Sequence, residues 1–461
     1  MEHSRIKRLI SSNIVLLVFL AVYYLAFYPL IGVIFAGDSY WYMRQSIRVS
    51  PGYPLLISLF RHVFLESHWA TALVLFQELL TAYAVFTFAN TVKKLFTLSS
   101  LLQFIVAFFT AFMYYAFRLL IIGKETDTFF CNTILTEGIT YPLFILLFKY
   151  LLLSVVNHDR RLLPTVYSIS FIITLIRGQF FWIPLFLVGY CFYIFIPSSI
   201  LRKTITSSLL LVSFILLSSI SSMLYHYHAS GTISTTTLGT ESTLTAVLYD
   251  VEQKDIAGLS VSKDVKNTLL KTIQEAEQEH QTSKYAPKRY IERYRHYEDN
   301  FDLIRKSFMN SLAAEAGKTN YKQLSDDELS KAIAPYNAVV LPLAFQILPR
   351  YLRTRCVNFV AGLIRSNSLM HPIGIVGSIL LYFLAVLLLV LTRNRDEYRV
   401  ERSYLLLILL MIVSNALFCA FGVFALSRYM YYGFPLFYLS FFLYAVRYFK
   451  FLREKIQEKE S

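Results

Sequence analysis

Charge is scarce in this chain. Asp, Glu, Lys and Arg together make up 16% of the residues, where a soluble globular domain carries about a quarter. Several signatures of cofactor chemistry are also missing. There is no GxxxxGK[ST] loop, no GxGxxG turn and no HExxH helix, so the sequence marks for nucleotide cradles and zinc hydrolysis are absent. No GxSxG elbow occurs either, which removes the usual serine-hydrolase mark. Cysteine is limited to four residues without a CxxC pair. Cys191 and Cys419 fall inside apolar runs, while a disulfide between Cys131 and Cys356 stays open. His226 and His228 flank Tyr227 and would not share a helix face, so they make a poor metal pair.

What the chain has in quantity is apolar sequence, at 56% of residues. Runs of about 20 apolar residues, each enough to cross roughly 30 Å of hydrocarbon, recur along it. They fall near 14–36, 69–92, 98–121, 133–155, 163–176, 179–198, 204–226, 372–392, 403–425 and 429–448. The fold class this predicts is all-α, a polytopic transmembrane bundle of about ten spans in the lipid bilayer. The first run is too long for a signal-peptide core and no small-residue cleavage site follows it, so it reads as a retained span. With 39 Phe and 33 Tyr, the chain is rich in rings that suit membrane interfaces.

The net charge of +14 does not point to nucleic acid. Lys and Arg sit between the apolar runs, as in Lys93–Lys94, Arg160–Arg161, Arg202–Lys203 and Arg393 to Arg402, and again in the tail. With ten spans all of these fall on one side, which predicts cytoplasmic termini. The other side then holds a first loop over 37–68, a connection over 122–132 and a long polar stretch over 227–350. Three regions follow: 1–226, 227–350 as an extracytoplasmic domain, and 351–461. The long stretch opens with a Ser/Thr/Gly-rich linker, Gly231 to Thr245. Helical patterns follow over Val265–Glu279, Lys288–Glu298, Phe301–Ala316 and Asp326–Ala334. From Leu341 to Leu369, apolar residues mix with Arg350, Arg353, Arg355 and Arg365, which predicts an amphipathic interfacial segment turning at Pro349.

Candidate chemistry gathers on the outer side. Asp38 follows the end of the first span, where a carboxylate is either an ordinary interfacial acid or a general base beside an entering lipid head group. Glu137 opens the fourth span, as a helix-start carboxylate or as a second acid. Glu125 and Asp127 are rivals for that second role. Arg177 and Arg428 sit at span ends on the side where cations should be few. They either snorkel or pair with an acid, or they present a planar fork of donors to phosphate oxygens. Lys124, Arg118, Arg44 and Arg48 are weaker cations in the same zone.

Four segments carry a resemblance. "GDSYWY" followed by "SPGYPLLISLF", then "LTEGITYPLFILLFKYLLL", "TLIRGQFFWIPLFL" and "ALSRYMYYGFPLFYLSFFL" resemble, in the same order, motifs of the GT-C superfamily of membrane glycosyltransferases. That superfamily includes aminoarabinose transferases and protein O-mannosyltransferases. The resemblance covers roughly 1–226 and 370–448. It implies a polyprenyl-phosphate-linked sugar as donor and a glycan, lipid or protein hydroxyl as acceptor. It implies catalytic roles for Asp38 and Glu137, donor-phosphate binding by Arg177, Arg428 and Lys124, and secondary places for Tyr40, Glu125, Asp127 and Tyr429. It implies an active site on the outer side, while the compact loops and the lack of a clear eukaryotic targeting tail point to a bacterial inner membrane. The first loop lacks the paired acids of some members, so neither a divalent metal nor another cofactor is indicated. A lipid-linked glycan polymerase or ligase stays open because of Arg289, Arg293 and Arg295. A transporter or flippase would need repeats and intramembrane acids, of which Glu78 is the one candidate.

Overall fold

The computed structural model describes residues 2–117, 131–195, 199–423 and 425–460. Every regular element among them is helical, and extended pairing is confined there to one parallel bridge between Ile34 and Thr133. Six segments are long and apolar enough to cross a bilayer: Asn13–Ile31, Trp69–Leu95, Glu137–Asn157, Ile200–Ser230, Pro372–Leu391 and Asp396–Gly422. They make the chain a helical membrane protein.

Among the described residues six helices meet both the length and the composition that a span needs, or seven if the bent pair counts as one, and the other expected spans fall below one or the other. Leu163–Ile176 has 14 residues and rises roughly 21 Å, short of the hydrocarbon thickness. Its partner Ile183–Ile194 has 12 residues and is preceded by a 3-10 turn, Gly178–Trp182. The helix Ser100–Phe117 has 18. Phe434–Glu460 is 27 residues long, but tyrosines, Arg447 and Lys450 dilute its apolar run. These segments pack around one core that includes Leu16, Phe88, Phe148, Tyr404 and Phe437. The helix Pro372–Leu391 buries only Ser378 and Ala385 and turns Ile373, Leu380 and Phe383 outward, as a face against lipid would.

Residues 238–365 build a second helical unit with its own core, including Leu244, Leu269, Ile273, Phe301, Phe308 and Leu312. Its helix starts are capped. Ser262 accepts from the Val265 amide, and Ser325 and Glu328 form a reciprocal capping box. Three details differ from the sequence expectation. The linker ends early, because Leu238–Leu248 is already helical. Its Leu244 and Leu248 belong to the core and its Glu241 is taken by Arg48. The two patterns around 288–316 are one helix, Tyr290–Glu315, since no Gly or Pro interrupts it. The segment predicted to lie at the interface is two helices bent by 94°, with Leu348–Arg365 starting at Pro349. Three of its four arginines meet protein: Arg350 meets Glu252 and Asp255, Arg355 is buried and Arg365 meets Glu298, while Arg353 is exposed. No disulfide joins the cysteines: Cys131 is buried and Cys356 exposed.

This unit grips the bundle at two places. On one side Ile47, from the first loop, is part of the unit's own core. Beside it Arg48 makes a two-pronged bond to Glu241 at 2.6 and 3.2 Å, and Ser46 donates to Asp326. On the other side, donors from the unit hold the carbonyls that follow the helix Arg399–Gly422. Tyr297 donates to Val423 O at 2.7 Å, and both Tyr294 and Arg365 donate to Ala425 O at 3.0 Å.

Arg355 is a buried pin in this grip. It donates to Tyr297 Oη, Ala420 O and Ala246 O, and Asp250 lies 3.7 Å away. With those donors spent elsewhere, burial outweighs the guanidinium and pushes the Asp250 carboxyl from its ordinary 3.8 up to about 6. A carboxyl raised in the folded state binds its proton more tightly there than when unfolded. Its contribution to stability is therefore full below 3.8 and lost as pH rises through about 6. Asp250→Asn is expected to remove that fall, seen as a flatter thermal midpoint against pH than the wild type shows across the same window.

Candidate functional site

Backbone pairing sets up the site. Gly32 takes a φ of 74° and turns the chain after the first span, a conformation glycine adopts without steric cost. Ile34 N then donates to Asn132 O, and Ile134 N donates back to Ile34 O, both at 2.9 Å. Ser39 Oγ donates to Ile134 O at 2.7 Å. These bonds staple the first loop to the strip before Glu137, so Asp38 and Glu137 are fixed at the same end of the bundle.

Arg177 comes from the break between two short helices. It caps Leu163–Ile176 with an extended backbone, φ −147° and ψ 113°, so its side chain leaves the helical course. Gly52 packs against that end: a Cβ there would come within 2.8 Å of Ile176 N. Arg177 Nη1 lies 2.7 Å from Glu137 Oε1 and donates to Thr136 Oγ1 at 2.9 Å. Arg177 Nε donates to Gln179 Oε1 at 2.8 Å. Glu137 is 2% exposed, and its second oxygen accepts from Thr136.

Arg428 and Tyr429 come from the short helix Ser427–Met430, directly after the carbonyls gripped by the outer unit. Arg428 Nη2 donates to Asp38 Oδ2 at 3.1 Å and to Tyr429 Oη at 3.3 Å. The Tyr429 ring carries both guanidiniums, with Arg177 4.9 Å and Arg428 5.2 Å from its centroid. A ring face attracts cations that would otherwise repel each other. Two amides pin Tyr429 itself: Gln179 Nε2 and Asn415 Nδ2 donate to its carbonyl at 2.7 and 2.8 Å. Below, Thr140 and Tyr432 share a hydrogen bond of 2.9 Å.

Asp38, Glu137, Arg177, Arg428 and Tyr429 are thus brought together, two acids and two cations around one ring. Their exposures differ in a way that bears on chemistry. Asp38 is 48% exposed and Arg428 26%, whereas Arg177 and Glu137 are enclosed. The Glu137 carboxylate is committed to holding Arg177. Asp38, held through Oδ2 alone by Arg428, is left half exposed. Tyr40 stays apart: it is exposed and its hydroxyl accepts from Arg44. Lys124, Glu125 and Asp127 lie outside the described residues. Among the described residues no group of three or more His, Cys, Asp or Glu is placed to hold a metal ion.

Thr136, Gln179, Asn415 and Tyr432 escaped the sequence reading. Asn415 carried a signal, being an amide within an apolar run, and such residues usually face a partner in the bundle. Gln179, two residues beyond Arg177, carried none. No family model, curated protein or solved structure matches the chain.

Removing one partner of the buried pair strands the other. Glu137→Ala is expected to lower stability by about 3–5 kcal/mol, while Glu137→Met with Arg177→Met loses far less. Thermal unfolding of the two proteins in one detergent compares them, and equal losses would mean the pair is not what holds this end together.

Proposed function

We propose that the chain is a GT-C-like glycosyltransferase that moves a sugar from a polyprenyl monophosphate to an acceptor hydroxyl on an envelope glycan, lipid or protein. One observation carries this reading. A solvent-reachable carboxylate, Asp38, is ion-paired with a guanidinium, Arg428, with a second guanidinium across one aromatic ring, at the ends of membrane-spanning helices. The order of the four sequence motifs supports it as well. The membrane is then a bacterial inner membrane, with both termini cytoplasmic and the site on the outer face.

The reaction is a single displacement. The acceptor oxygen forms a bond to the anomeric carbon as its proton passes to Asp38. The bond from that carbon to the phosphate oxygen breaks, its electron pair leaves with the phosphate, and configuration inverts. Arg428 turns from Asp38 to the donor phosphate when the lipid arrives, so the charge that holds the base at rest is withdrawn by the substrate. Arg177 adds its field from behind Tyr429, and Glu137 positions it. Cations placed where negative charge grows lower the barrier without reorganising at the moment of reaction.

Asp38→Asn is expected to cut transfer from a radiolabelled polyprenyl-phosphate sugar by about 10²–10⁴-fold, at matched expression and unchanged thermal midpoint. Unchanged turnover in this variant would remove Asp38 from the reaction. If wild-type membranes consumed a lipid-diphosphate oligosaccharide and no monophosphate donor, the polymerase or ligase reading would take over.

A further inference from the structure

The far end of the bundle holds a second feature. Glu401 and Lys450 lie there, while the helices that carry them, Arg399–Gly422 and Phe434–Glu460, have their other ends near Arg428. By helical rise the two ends are roughly 24–30 Å apart. Between the turn at 96–99 and the helix Phe434–Glu460 is a cavity of about 410 Å³.

Its walls are apolar, from Phe96, Leu443 and Val446, and its polar lining is mostly cationic, from Arg447, Lys450 and Arg453. The one carboxylate is Glu401, also in the lining, and the nearby charge that offsets it is Arg447. Arg447 is further tied down by a bond to Glu397 O. Among the described residues two exposed cations, Lys450 and Arg453, remain without a carboxylate in the cavity, and the Lys450 bond there is a long one, 3.4 Å, to Thr97 Oγ1.

Thr97 closes the helix Trp69–Leu95 at the rim of the cavity: its φ is 49°, and Leu98 N donates to Lys93 O at 3.0 Å, the bond of a left-handed helix end. Leading away from the cavity, the helix Ser100–Phe117 presents Leu101, Ile105 and Phe108 outward as an exposed apolar track. A cationic mouth, an apolar hollow and an apolar track match a phosphate bearing acyl chains, and a net positive lining favours an anionic head over a zwitterionic one.

We infer that this cavity seats one anionic glycerophospholipid, with its phosphate on Lys450 and Arg453 and its acyl chains along Leu101, Ile105 and Phe108. The site is separate from Asp38 and does not rest on the transferase reading.

Native mass spectrometry of the full chain in detergent, titrated with phosphatidylglycerol, phosphatidylethanolamine or inorganic phosphate, tests this. One phosphatidylglycerol is expected to stay bound per chain, more tightly than phosphatidylethanolamine, with no competition from inorganic phosphate. Lys450→Ala with Arg453→Ala should weaken it by roughly thirtyfold. Lys450→Arg with Arg453→Lys should restore it. Both residues are exposed, so the fold survives the change, and a thermal midpoint checks that. Retention of phosphatidylglycerol by the double alanine variant at wild-type strength would overturn the assignment. So would equal binding of the two phospholipids, or displacement by inorganic phosphate, which would mark a free-anion site.

Discussion

The buried pair of Arg177 and Glu137 is the constraint on which the functional end of this protein depends. A guanidinium enclosed among helix ends is tolerable only if its charge is met and its donors are used. Glu137, Thr136 and Gln179 do this between them. Meeting that demand fixes the start of one span, the break between two short helices and, through Gln179, the backbone of Tyr429. Arg428 and Asp38 then need little more than the Tyr429 ring and each other. The inner pair is enclosed, and the outer pair is open to solvent.

The second helical unit serves the same end from outside. Ile47 is drawn into its core, and its tyrosines and Arg365 hold the carbonyls leading to Arg428. Neither Asp38 nor Arg428 touches this unit through the bonds described, yet both stand on segments that it grips. The division of labour is that of a scaffold holding two loop segments in register, since loop residues alone would not keep a pair of charges aligned.

Some of this was legible in the sequence. Apolar runs marked the helices, because burial in lipid leaves a long unbroken signature. The number of spans is less legible where a helix is short, as at Leu163–Ile176, or rich in Tyr, as at Phe434–Glu460. Hydrophobicity reports an environment and only indirectly a length. Arg177 and Arg428 stood out because they broke a charge rule, and Asp38 because of its place after a span. The convergence of these residues on Tyr429 was not legible, since it depends on a 3-10 turn and on amides that look ordinary in sequence. The arginines of 350–365 misled for a related reason. Guanidinium groups beside apolar residues look alike whether they meet lipid phosphates or a neighbouring domain's carboxylates.

Asp38 and Arg428 lie 390 positions apart in the chain. At ordinary rates of synthesis, the first loop waits roughly 20–80 s before its partner is made. Over that time Asp38 is a carboxylate without its cation. Arg428 is added only after the second helical unit that holds its segment has been made. Assembly order thus separates the two charges in time: a chain stalled between them holds the acid without the arginine.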